Sequence, residues 1–126
     1  MRVALLVLAV LASASKPDQF DLICTGMETA HWNLQTGPVT SRYRVDLQAN
    51  RWCQGECRVV KPLVEVSPTQ LVFDEVKAAY RGDPSERLDF VQRDTGKWGF
   101  YNRELQGDGT CEPASFSGFP TPTTKF

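Results

Sequence analysis

Apolar and polar positions alternate with a period of two along most of this chain, the pattern of half-buried strands. Phe20, Leu22 and Cys24 alternate with Asp21, Ile23 and Thr25, and Gly26 is expected to end that run. Tyr43, Val45 and Leu47 alternate with Arg42, Arg44, Asp46 and Gln48 before Ala49-Asn50-Arg51 turns the chain. Val59-Val60 and Leu63 to Val66 form a β-branched stretch interrupted by Pro62. Proline has no N–H for a central ladder, so this stretch belongs at a sheet edge or a bulge. Ser67-Pro68-Thr69 predicts a turn, followed by Leu71-Val72-Phe73. Leu88 and Phe90 alternate with Asp89 and Val91, and Asp94-Thr95-Gly96 predicts a hairpin turn with glycine at positive φ. Trp98 and Phe100 share one face, opposite Lys97, Gly99 and Tyr101, and Gln106-Gly107-Asp108-Gly109 is expected to turn again before Cys111.

These segments predict an all-β fold, a small antiparallel meander of about six to eight short strands closing as a barrel or sandwich. Three stretches stand outside the alternation. Phe73, Val76, Lys77 and Tyr80 have helical spacing, with Asp74-Glu75 early and Arg81 late. That charge order suits a helix dipole, and Gly82 suits a C-cap. The expectation is a strand to about Asp74, then either a short helical turn near 75–81 or a loop through Gly82-Asp83-Pro84. Residues 27–40 read as a long connection around Gly37-Pro38 with room for an extra edge strand. Residues 112–126 read as an irregular tail rich in proline and small residues.

The N-terminus has a different character. Arg2 precedes an unbroken apolar run from Val3 to Leu11, and Ala12-Ser13-Ala14-Ser15 follows. A basic start, a short apolar middle and an A-x-A site make a secretory signal peptide, too short to span a bilayer. Residues 1–14 are therefore assigned as signal peptide, with cleavage after Ala14 or alternatively Ser15, and residues 15–126 as a single β-domain. The mature chain has no transmembrane segment. The protein is expected in the periplasm or outside the cell.

Export changes how the cysteines read. Cys24, Cys53, Cys57 and Cys111 are even in number, so in an oxidising compartment two disulfides are the default. The favoured pairing is Cys53–Cys57, where Gly55 lets a short loop fold back, with Cys24–Cys111 tying the first strand to the last. Cys24–Cys53 with Cys57–Cys111 stays open as the rival. Zinc would want paired C-x2-C ligands or added histidines, and the one histidine is His31. A redox centre would want C-x-x-C opening a helix, whereas Cys53 and Cys57 are one residue too far apart. No metal or cofactor is expected.

With 14 basic and 15 acidic residues the chain has no electrostatic footprint for nucleic acid. Hydrophobic residues at 41% and charged residues at 23% exclude wholesale disorder. None of the motifs G-x-S-x-G, G-x-G-x-x-G, the Walker loop or H-E-x-x-H occurs. A serine triad would depend on His31, placed in a loop beside Trp32. Acid pairs for glycoside hydrolysis could come from Asp74, Glu75, Asp89, Asp94 or Glu104, but acids opposite arginines on strands are usually solvated ion pairs. Catalysis is not expected.

A monomeric binding module is the leading expectation. Tyr43, Trp52, Trp98 and Phe100 are the candidate binding aromatics, with Leu47 a further inward candidate, and the ligand would be small and apolar or an envelope component. The alternative is a protein–protein role, as a hydrolase inhibitor or structural envelope protein. It would present an exposed Trp52 on the Cys53–Cys57 loop or the Phe116 to Phe119 tail.

Phe20-x-Leu22-x-Cys24-x-Gly26, Tyr43-Arg44-Val45-Asp46-Leu47 with Trp52-Cys53 and Cys57, Gly109-x-Cys111, and Phe116-Ser117-Gly118-Phe119-Pro120 before Lys125-Phe126 together carry a resemblance. The chain resembles a family of small, signal-peptide-bearing, four-cysteine β-rich exported proteins of Gram-negative bacteria. The resemblance covers most of the mature chain and implies periplasmic or secreted placement. It brings no activity and no catalytic residues.

Overall fold

The computed structural model describes residues 17–80 and 82–121. The expected signal peptide, residues 1–14, and the end of the expected tail lie outside them. Alternating side chains draw β1 (Gln19–Ala30), β2 (Thr36–Asp46) and β3 (Arg51–Gln54) into one antiparallel meander. A second meander holds β4 (Glu65–Val66), β5 (Gln70–Val76), β6 (Arg87–Gln92), β7 (Lys97–Tyr101) and β8 (Leu105–Ala114). Antiparallel pairing of β1 with β8 unites them in one sheet of order β3-β2-β1-β8-β7-β6-β5-β4.

This sheet is curled into an open half-barrel, a coarser result than the closed barrel or sandwich expected. The curl brings Tyr43 on β2 into a stack with Phe73 on β5, with ring centroids 4.3 Å apart. The segment between the two edge strands crosses part of the gap. Lys61 exchanges backbone hydrogen bonds with Trp52 of β3 at 2.8 and 2.9 Å, and Val64 N–H donates to Val72 C=O of β5 at 2.8 Å. Leu22, Val45, Leu71, Phe73, Val91 and Trp98 fill the concave face as a buried core.

Cys24 lies directly opposite Cys111 in the β1–β8 register and is bonded to it, and Cys53 is bonded to Cys57. The favoured pairing holds and its rival is excluded. Gly55 takes φ 61° in the short loop and Gly96 takes φ 75° in the β6–β7 turn, both as expected of a residue without Cβ. Two disulfides fit an oxidising compartment. Among the described residues no helix is long and apolar enough to cross a membrane.

Four expectations are corrected. First, Gly26 does not end β1. It pairs with Gly109 of β8, and a Cβ on Gly26 would stand 1.9 Å from the Asp108 carbonyl oxygen. Glycine is here what lets two backbones run close together. Second, Gln106 to Gly109 do not turn. They are strand residues of β8, and the turn falls earlier, where Asn102 N–H donates to Leu105 C=O and Asn102 Oδ1 accepts from the Glu104 and Leu105 amides.

Third, residues 27–40 are no loose connection. They are the paired arms of a β1–β2 hairpin near the middle of the sheet, closed by Leu34 N–H to Ala30 C=O. Fourth, the strand expected to end at about Asp74 runs on to Val76, and of the two alternatives for 75–81 the described part takes the loop and not the helical turn. Val76 is paired with Arg87 in the β5–β6 ladder, which takes up the backbone groups a helical turn would need. The expected tail also begins later, because β8 runs on to Ala114.

Beyond β8 the chain folds back over the convex face. Ser117 donates from its hydroxyl and amide to the fully buried Asp21 carboxylate at 2.6 and 3.1 Å, and Arg42 Nε donates to the same carboxylate at 2.6 Å. Arg44 donates to Gly118 C=O at 2.9 Å and to Gly55 C=O at 3.2 Å. Phe116 and Phe119 meet edge to face, with Arg51 5.5 Å above the Phe119 ring.

Candidate functional site

Inward alternation on β2, β3 and β7 aims Tyr43, Trp52, Trp98 and Phe100 at the same space, so all four aromatics singled out from the sequence come together. Trp98 meets Tyr43 at 6.3 Å edge to face and Phe100 at 4.9 Å, and Trp52 meets Tyr43 at 5.9 Å. Tyr43, Trp52 and Trp98 are buried, while Phe100 is half-buried. Leu47 packs at the margin of the core. Above these rings the half-barrel stays open as a concavity of about 350 Å³. Its floor and walls include the four aromatics with Val39, Ser41 and Leu88, and Glu28, Lys61, Asp74, Arg87 and Asp89 bring charge to it.

Glycine shapes the floor. The Phe100 ring lies down on Gly107, where a Cβ would come within 2.5 Å of the ring. On the opposite face of the sheet, the Phe90 ring lies over Gly99 in the same manner, at 2.7 Å from the position of a Cβ. The Phe100 ring, seated on glycine, leaves depth above it on the concave face that a uniformly filled sheet face would lack.

Asp89 is the functional candidate that the aromatic pattern alone does not single out. Trp98 Nε1–H donates to the Tyr43 hydroxyl oxygen at 3.1 Å, and that hydroxyl donates onward to Asp89 Oδ1 and Oδ2 at 2.9 and 3.0 Å. Burial pushes the Asp89 carboxyl up to about 7, opposed by hydrogen bonds from Tyr43 and Trp98 and assisted by the Asp74 charge. Burial, together with the Asp89 charge, pushes the Tyr43 phenol far up, so it remains a neutral donor. Asp74 stands opposite Asp89 in the β5–β6 register but is drawn to Arg87 Nε at 3.1 Å. Asp74 is thus an ion-paired strand acid of the expected kind, and Asp89 is not.

The expected partner-binding features lie elsewhere. Trp52 is buried, with its Nε1–H donating to Pro62 C=O at 3.1 Å and its ring 5.0 Å from Phe73. Phe116 and Phe119 are half-buried against their own sheet. The most exposed large apolar groups among the described residues are instead Trp32 and Leu34, 84% and 76% accessible at the tip of the β1–β2 hairpin. His31 is tied to the neighbouring turn, its Nδ1 3.1 Å from Arg103 C=O and its ring 5.0 Å from Tyr101.

No protein-family model matches the chain, and neither curated proteins nor solved structures give a significant match.

Proposed function

We propose that this protein is an exported, non-enzymatic binding module that holds a small molecule in the mouth of its half-barrel. The observation that carries the reading is the concavity of about 350 Å³ over Tyr43, Trp52, Trp98 and Phe100. Small-ligand sites are concave, lined mainly by apolar and aromatic groups with a few placed polar ones, and start near 300 Å³. The aromatics here supply contact area, and the Tyr43–Asp89 pair supplies a polar anchor. The ligand is accordingly mixed in character, more polar than the purely apolar one expected from the aromatics alone.

Two-dimensional NMR of the oxidised protein, titrated with a set of small aromatic fragments, tests this. Saturable shifts confined to Tyr43, Asp89, Trp98 and Phe100 would support it; no saturable shift there at millimolar fragment, about the weakest affinity such a site would show, would refute it. The protein–protein alternative rests on the exposed Trp32 and Leu34, with the buried Trp52 counting against its original form.

A further inference from the structure

Resting on that reading of the concavity, we propose that its occupant is an organic cation, an ammonium on a short aromatic or alkyl body. Its charge would lie at Asp89 and its body against Tyr43, Trp98 and Phe100.

Three observations converge on a cation. Asp89 lines the concavity, and its carboxylate is met by neutral donors alone, the Tyr43 hydroxyl directly and the Trp98 indole beside it. The ion pairs among those residues are Arg42–Asp21, Arg58–Glu56, Lys77–Glu75 and Arg87–Asp74, so none of them neutralises Asp89. A carboxylate has about four lone-pair sites, and two neutral donors leave others free.

The walls point the same way. Aromatic faces carry the negative lobe of the ring quadrupole and attract cations within about 6 Å. The protein's own Lys61 ammonium already stands 6.0 Å from the Trp52 ring centroid at this wall. The charge inventory completes the argument. Glu28 on β1, Asp74 on β5 and Asp89 on β6 meet Lys61 and Arg87, with Tyr43 and Tyr101 the titratable phenols. Once Arg87 is set against Asp74, acid exceeds base, and an anion would face a surplus of like charge.

A cation must find Asp89 ionised, and the free carboxyl titrates at about 7. Binding therefore expels a proton near neutrality. Affinity should climb as pH rises through that value and level off above it.

Calorimetric titration of the full, oxidised chain with phenethylamine, 2-phenylethanol and phenylacetate between about pH 5 and 9 tests this, because the three probes differ chiefly in charge over the span where the carboxyl ionises. The amine should bind about tenfold to a hundredfold more tightly than the alcohol above neutrality, the usual effect of one charge-assisted contact. Asp89→Asn should erase that preference and its pH dependence while retaining alcohol binding, and Glu112→Gln, at an exposed position of β8 outside the concavity, should keep both. Carboxyl ¹³C NMR of the unmutated protein gives a readout independent of any variant, since the amine should lower the Asp89 titration midpoint. Equal binding of amine and alcohol, or a preference for phenylacetate, would overturn the cation assignment and leave the small-molecule reading standing. Failure of all three probes to bind would overturn both.

Discussion

The Tyr43 hydroxyl on β2 reaches across the half-barrel to both carboxylate oxygens of Asp89 on β6. Those strands are far apart in the sheet order, so this contact exists only because the sheet curls. It couples the shape of the fold to the protonation of one acid. The folded carboxyl titrates at about 7 against an ordinary 3.8. The folded state therefore holds the proton more tightly than the unfolded chain, and the associated stability is fully present below about pH 4 and is lost as pH rises towards 7.

Asp89→Asn mimics the protonated form and should raise stability above neutrality, by about 1–3 kcal/mol. The gap to the unmutated protein should close on going down to about pH 4. Urea unfolding curves at several pH values check this, and an unchanged gap across the range would contradict the coupling.

The opposite sign belongs to Asp21. Burial alone would raise its carboxyl, but hydrogen bonds from the Ser117 side chain and amide and from Arg42 outweigh burial and hold it below its ordinary value. Its contribution is present above about pH 4 and fades as pH falls through the folded value. Ser117→Ala should cost about 1–3 kcal/mol, because it leaves a buried carboxylate oxygen short of a donor. Hydrogen exchange at the amides of 116–119 should accelerate at the same time, showing that the convex-face segment has loosened.

The glycines in β1 and β8 make a sharper test. Gly26→Ala puts a Cβ 1.9 Å from the Asp108 carbonyl oxygen, and Gly109→Ala puts one 2.0 Å from the Thr25 carbonyl oxygen. Backbone cannot yield as a side-chain tip can, so each should cost about 3 kcal/mol or more or prevent folding. Gly37→Ala, whose Cβ would meet nothing within 4 Å, should change the thermal midpoint little.

The two disulfides should contribute unequally. Loop-entropy reasoning assigns about 4–5 kcal/mol to a closure spanning 87 residues and about 2 to one spanning 4. Replacing both Cys24 and Cys111 by serine should therefore lower the denaturation midpoint more than replacing Cys53 and Cys57. The reverse order would show that the Cys53–Cys57 loop anchors more than itself, through the Arg44 bond to Gly55 C=O.

Those same glycines mark where the sequence was legible and where it was not. Period-two alternation located the strand cores around Tyr43, Leu71 and Trp98, and the even cysteine count with Gly55 led to the right disulfides. Gly26, Gly107 and Gly109, taken as punctuation, are strand residues, because the need for close approach between strands depends on the neighbour and not on local sequence. The β1–β2 hairpin was hidden for a related reason. Its arms carry Thr, Gly and Pro at positions whose pairing is settled across the sheet. The four aromatics of the site were readable from their faces. Asp89 was one of five undistinguished acids, and only the curl that sets it under Tyr43 separates it from Asp74.

Every strand pairing except β1–β8 joins strands consecutive in the chain. The molecule is thus two runs of hairpins, and each can assemble through short loop closures on a fast timescale. The seam between β1 and β8 is the one slow, long-range event, since it must bring together segments that begin and end the described fold. Oxidised protein, with Cys24 still bonded to Cys111, carries that encounter into its unfolded state. It should refold from denaturant markedly faster than reduced protein, which must search for the seam afresh.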